Sequence, residues 1–484
     1  MGSLSPAAHY PDASDQTLIL THPTPDEQEQ TWRLNHREWG GPLDLPAYLK
    51  REPFLASTPL TANGGIVHWI LTEPETETTA QAQARRVLAS CETIRKRVLY
   101  VPRNSGDEVR EGLGYGIGSV YTYPEFRGKK YAARMLRELG AVLKRWPEEE
   151  QQQRKKNPQN GTGNQIGDGS KDPPNGNGQT GTCEPEAVCS ALWSDIGKRF
   201  YASKGWPVFA SAHVEFPSSS PSSPPGVSSL LEQSAQPHGT ALTLAPVNAS
   251  NITQLCREDE ARLRGELIRH ARETGRTAFA FAPDPDVFRW HWAREEFIVS
   301  RVFPGREASE VRGLIVTVTS SADDITQERG AGEDTPAKKE EKKEKEKEKQ
   351  TRMWAIWTRN YGADAASNTA KNTLYILRLV IDDGSDSDST SSDQKALQLA
   401  FDAILHGALD AARAWNCGSV HLWNPTSAVR DLIAGSKVAH KFVDRETDSI
   451  PSMMWYGPRE NKNKNEDENE DAVEWIANEK YCWC

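Results

Sequence analysis

Apolar residues recur along this chain in two periods, and each change of period marks a new element. From Ala132 they fall at Met135, Leu136, Leu139, Val142, Leu143 and Trp146, which is helical spacing. Ser119-Val120-Tyr121-Thr122 just ahead reads as a strand. Upstream, Leu18-Ile19-Leu20 begins a strand. Pro25 to Trp39 follows as a helix with Thr24 as N-cap and Pro25 at its first position, and Asp44 to Leu55 as a second helix. Ile66 to Leu71 and Val87 to Ile94 alternate as strands, and Val98 to Val101 extends the meander across a bend. Ala191 to Gly197 is a strand end passing into a turn, and Lys198 to Trp206 a short helix closed by glycine. The second half repeats the alternation. Ala278–Ala282, Leu314–Val318, Met353–Thr358, Tyr375–Ile381, Ser419–Trp423 and Met453–Tyr456 are strand-like, with helices over Gln394–Trp415 and Ala428–Gly435.

Between these elements lie stretches too polar to fold. Pro147 to about Glu186 is Gln/Asn/Gly-rich and Pro217 to about Gln236 is Ser/Pro-rich. About Ser320 to Arg352 holds a Lys/Glu run, Asp382 to Asp393 is Asp/Ser-rich, and Arg459 to Asp471 is Asn/Glu/Lys-rich. They bury too little apolar surface to offset chain entropy. They also account for the mean hydropathy of -0.68. Without them, a chain of 484 residues leaves enough for two ordinary domains.

Charge and cysteine content narrow the class further. A net charge of -10 disfavours a nucleic-acid surface, and glutamates alternate through the lysines of the 338–349 run. The seven cysteines show neither paired zinc-ligand spacing nor an even disulfide framework. No apolar run is long enough to span a membrane and the N-terminus has no secretory core, so the expectation is a cytoplasmic protein with no membrane partner. The Gly112-Leu-Gly114-Tyr-Gly116-Ile-Gly118 run lacks the dinucleotide register and leads into a strand, so it is not a nucleotide fingerprint.

The chemistry concentrates at Arg127-Gly128-Lys129-Lys130-Tyr131-Ala132. A basic, glycine-containing turn that opens a helix is an anion site, because free N–H groups and the positive end of the helix dipole point at whatever docks there. The stretch resembles motif A of the GNAT N-acetyltransferases, Arg/Gln-x-x-Gly-x-Gly/Ala, with Lys130 in place of the central glycine. Phe200-Tyr201-Ala-Ser-Lys-Gly205-Trp206 resembles motif B. Ser90-Cys91-Glu92-Thr93, the Trp-Ser-Asp-Ile-Gly run at 193–197 and the Asn478–Cys484 ending look like the fungal lysine N6-acetyltransferases. That resemblance implies an α/β (α+β) fold with a mixed, mostly antiparallel sheet flanked by helices, and a second acetyltransferase-like domain. An unrelated α/β partner domain is an equal alternative for the second half. The domains would be 1–216, binding acetyl-CoA, a linker at 217–238, and a degenerate half at 239–484.

The implied reaction is direct transfer of acetyl from acetyl-CoA to the side-chain amine of free L-lysine, without a metal. An amine of pKa about 10.4 must lose a proton before attack. Glu92 is the candidate base and Tyr201 the candidate acid for the departing thiolate. Val120, Tyr121, Thr122, Arg127, Gly128, Lys129, Lys130, Tyr131 and Ala132 are the candidate cofactor residues. Asp195 caps the following helix or holds an ammonium, Cys91 and Glu125 are packing and turn residues, and Phe288–Trp292 is buried packing. Protein or polyamine acetylation, and a non-catalytic acyl-CoA scaffold, remain the alternatives.

Overall fold

A computed structural model describes residues 10–75, 85–103, 105–146, 186–218, 240–320, 349–382, 391–457 and 473–483. Most of each low-complexity stretch lies outside these residues. Their margins hold more regular structure than the composition suggests: a strand begins at Lys349 and a helix at Ser391.

The first sheet runs β1 (Ile19–Thr21), β2 (Ile66–Thr72), β3 (Val87–Val101), β4 (Arg110–Thr122), β5 (Ala187–Ser194) and β14 (Ile450–Trp455), with β8 (Thr277–Phe281) and β15 (Val473–Trp475) joined to the far end of β3. The second runs β13 (Lys441–Asp444), β6 (Ala212–Pro217), β12 (Ser419–Trp423), β11 (Thr373–Asp382), β10 (Lys349–Asn360), β9 (Gly313–Ser320) and β7 (Thr240–Val247). Among described strands only β4–β5, β11–β12 and β8–β15 pair in parallel. The fold is therefore mixed α/β with antiparallel-dominated sheets. The expected bend in β3 is absent. The strand is continuous because β2 covers one edge of its first part and β8 the same edge of its second.

Helices α1 (Pro25–Trp39), α2 (Leu45–Ala56), α3 (Tyr131–Leu143), α5 (Ile252–Thr274), α6 (Pro285–Val302), α7 (Ser391–Ala414) and α8 (Ser427–Gly435) flank the sheets, and α4 is one turn over Arg199–Ala202. Helix α1 starts where its capping box does: Glu27 N–H donates to Thr24 Oγ1 at 3.3 Å and Thr24 N–H to Glu27 Oε2 at 2.8 Å. Helix α3 buries Met135, Leu136, Leu139 and Leu143 against the first sheet. In β4, a Cβ at Gly114 would come within 2.8 Å of Phe281 and Val98, so this glycine answers to close strand packing.

The halves exchange strands. From the later part of the chain, β14 pairs with β5 in the first sheet, while β6 inserts between β12 and β13 in the second. One hydrophobic cluster then runs through both, joining Val98, Val188 and Phe281 to Trp354, Leu377 and Trp423.

Candidate active site

Strands β4 and β5 pair in parallel as far as Ile117↔Leu192 and no further. Beyond that point β4 carries Gly118 to Thr122 along an edge that β5 has left. An irregularity sits at the same place: Ser90 pairs with Tyr121 and Glu92 with Gly118, so Ser119 and Val120 together oppose Cys91, and Ser119 takes φ 51°. The bulge opens a wedge at the head of α3.

At that wedge the chain turns through Gly128 (φ 79°) and Lys130 (φ 67°), both left-handed, into α3. No side chain caps the helix, and its first i→i−4 bond is Arg134 N–H to Lys130 O, which leaves the N–H groups of Tyr131, Ala132 and Ala133 ahead of the ladder. A cavity of about 370 Å³ lies there, lined by Thr122, Arg127, Gly128, Lys130, Tyr131 and Ala132 together with Phe126, Ala133, Phe200 and Lys204. Three of the expected cofactor residues stand off it. Val120 is on the bulge, Tyr121 is core, and Lys129 extends over the Tyr10 ring at 3.6 Å. Unpaired N–H groups, backbone left open by positive φ, and cations suit a phosphate-bearing ligand.

Tyr201 is 7% exposed and packs in the first-sheet core rather than on the cavity wall, which its neighbour Phe200 occupies. Burial, with Asp195 and Cys91 nearby, pushes its phenol well above the ordinary range. Burial likewise raises the Cys91 thiol, which keeps it protonated. Asp195 caps no helix. Its carboxylate accepts from Ser449 N–H at 3.0 Å and Trp39 Nε1 at 3.4 Å, tying β5 to the strand-exchanged segment. Glu125 sits in the turn ahead of the basic loop.

Glu92 lies at the bulge. Ser119 Oγ donates to its Oε1 at 2.8 Å, and a Cβ on Gly118 would stand 3.3 Å from the same oxygen, so glycine leaves the carboxylate its place. Burial raises its pKa, opposed by the Ser119 bond and by Arg51. His68 Nδ1 is 3.6 Å from Oε2, too long for a hydrogen bond, and burial drops this imidazole to about 4, so it is neutral. A second carboxylate, Glu52 of α2, accepts from Arg51 at 2.6 Å. It is raised by burial, lowered by Arg51 and raised again by Glu92. Arg294 of α6 is an electrostatic neighbour of Glu52. Neither Glu52 nor Arg294 sits in a motif, and only the docking of α2 and α6 brings Glu52 near Glu92 and Arg294 near Glu52.

The second half has a comparable wedge, and the chain itself fills it. Strands β11 and β12 part after Ile376↔Leu422. Leu379 N–H donates to Glu479 at 2.9 Å, and Asn424 Nδ2 to Asn478 O at 2.6 Å, so the 478–483 segment bridges the two strands. Residues 228–484 match the family described as the LYC1 GNAT-like C-terminal domain. The chain belongs to this LYC1-like GNAT family. A Yarrowia lipolytica protein named lysine acetyltransferase is 28% identical over 121 residues, which is 25% of this chain and 28% of that relative's length. A probable N-acyltransferase from Enterococcus faecalis aligns over 90% of this chain and 72% of its own, at 11% identity and TM-score 0.42. Saccharomyces cerevisiae N-myristoyltransferase aligns over 91% and 78%, at 11% identity and TM-score 0.40.

Among described residues His213, Glu215 and His421 also bring ligand atoms within 4.8 Å of one another. His421 is far in sequence from the other two, so spacing gave no sign of the group. Arg445, Lys441 and Lys480 are electrostatic neighbours of these groups, and such a cationic setting opposes a divalent ion.

Proposed function

We propose that this protein transfers the acetyl group of acetyl-CoA to the ε-amine of free L-lysine. The reading rests above all on the open β4 edge beside an uncapped, cation-flanked helix start, with a half-buried carboxylate at the bulge. The pyrophosphate would lie on the turn formed by Arg127, Gly128, Lys130, Tyr131 and Ala132, with Lys129 adding charge nearby. The thioester would lie along Val120, Tyr121 and Thr122, whose backbone N–H groups would hold the oxyanion. Glu92 takes the ammonium proton and the freed amine attacks the thioester carbon. The C–S bond then breaks, the thiolate takes the Tyr201 phenol proton, and the surplus proton on the new amide nitrogen restores the phenol, so Tyr201 ends protonated as it began. Family membership and the partial likeness to a lysine acetyltransferase support the choice of acceptor.

The test is CoA release from acetyl-CoA with free L-lysine, with the product mass recorded. One added acetyl on lysine is the expected result. Retained acetyl-CoA binding without turnover on lysine, polyamines or peptides would instead indicate a scaffold.

A further inference from the structure

Arg445, just past β13, is 7% exposed. Its Nη1 donates to Ala212 O at 3.2 Å, while Nε and Nη2 are buried with no partner. Among the described residues no carboxylate lies in ion-pair range of it. Burial pushes its pKa down to about 10, which leaves it charged at neutral pH. The guanidinium lies 3.8 Å from the Trp423 ring centroid. Lys480 Nζ is 4.3 Å from the same ring, 4.8 Å from Tyr375 and 3.9 Å from Trp483. Two cations therefore share one aromatic wall.

A charge held out of water without a counter-ion is strongly unfavourable, and an apolar side chain of similar volume would pack here without that penalty. Stacking on Trp423 and one carbonyl bond do not require a guanidinium with two idle donors. An anion placed against Nε and Nη2 would, since those adjacent nitrogens match a carboxylate.

This wall leads to the Glu92 end through Trp483. Its ring takes Lys480 at 3.9 Å and Arg294 at 5.6 Å, and it packs against the cluster of Leu55, Ile94 and Trp290. Ile94 follows Glu92 by two on β3, and Leu55 follows Glu52 by three on α2, so each shares a face with its carboxylate. Tyr375 has both Arg445 and Arg294 as electrostatic neighbours. The contact between the halves thus holds Glu92 and Glu52 with the cations Arg51 and Arg294 beside the bulge, and Arg445 with Lys480 beyond Trp483, with indole and phenol rings between.

We infer that Arg445, with Lys480 beside it, is the subsite for the carboxylate of a small amino-acid acceptor whose side-chain amine reaches Glu92. This rests on the acceptor reading above and adds its consequence: recognition needs a free carboxylate, which a lysine within a polypeptide lacks at that position.

The test is binding of L-lysine, 6-aminohexanoate and 1,5-diaminopentane to the full chain by calorimetry, in the presence of CoA. Both carboxylate-bearing ligands should bind at least tenfold tighter than the diamine. R445M should erase that preference and raise the melting temperature of the unliganded protein. A diamine that binds as tightly as lysine to the unaltered protein overturns the proposal, whether or not the variant folds. So does R445M with a lowered melting temperature and an intact carboxylate preference. CoA release separates the two readings. Carboxylate preference without acetylation of lysine keeps the subsite and removes the acceptor assignment; acetylation without the preference does the reverse.

Discussion

Lys130 occupies a left-handed position at the head of α3, where the GNAT pattern has glycine. A side chain there costs about 1–2 kcal/mol through crowding of Cβ against the backbone. Glycine removes that cost but adds freedom to the unfolded chain. K130G should therefore stabilise the protein by a net ~0.5–1 kcal/mol in urea unfolding. An unchanged or lower midpoint would mean that the lysine side chain makes a compensating contact. Glu92 offers a sharper test. Removing a general base costs on the order of 10²–10⁴ in rate, so E92Q should lower kcat by that much. The sign of the pH effect follows from burial, which raises this carboxyl above its ordinary 4.5. Activity should rise with pH as the proton leaves, and E92Q should lose that acidic limb. Stability runs the other way. The contribution of neutral Glu92 is full below about 4.5 and is lost as pH rises through the raised value. E92Q, which stays neutral, should show less of that loss in melting temperature measured across pH.

Among the elements, α6 is held by a charge cluster. Glu295 is 1% exposed and takes Arg312 at 2.7 Å, Arg359 at 2.6 Å, Thr358 Oγ1 at 3.0 Å and Arg359 N–H at 2.7 Å. This fixes α6 to β10, and with it Arg294 and Trp290 beside the site. E295A would leave two buried guanidinium groups without their shared carboxylate, at a cost of about 3–5 kcal/mol. Chemical denaturation should show the loss, and a cost under about 1 kcal/mol would contradict the packing described. None of this cluster could be read from the chain. Glu295 meets its partners through contacts 17 to 64 positions away. Nor are β6, β7, β13 and α5 among the expected elements, although Ile252, Leu255, Cys256, Leu263 and Leu267 recur at helical spacing in α5. What could be read was local. Thr24 and Asp44 cap α1 and α2 as expected, and the Arg127–Ala132 turn opens α3 because glycine, charge and helical spacing coincide there. Asp195 shows the limit of such reasoning. Its position before a helix suggested a cap, and instead it bonds Ser449, some 250 positions downstream.

At the scale of the whole molecule, strand exchange decides what each half can do alone. A chain ending near residue 216 would lack β14, leaving β5 an unpaired edge beside the wedge at the head of α3. A chain starting near 239 would lack β6 and leave β12 and β13 without the strand between them. Each would also expose its share of the cluster that joins Val98 and Phe281 to Trp354 and Trp423. Exposed edges and an opened core favour aggregation. The 1–216 and 239–484 pieces expressed separately should therefore be insoluble or oligomeric on gel filtration. Co-expressed, they should elute as a heterodimer only if β6 and β14 can thread across. Two monodisperse, cooperatively unfolding monomers would refute this argument. The same exchange explains why Asp195 meets Ser449 across some 250 positions: the strands that complete each sheet carry residues of one half onto the other.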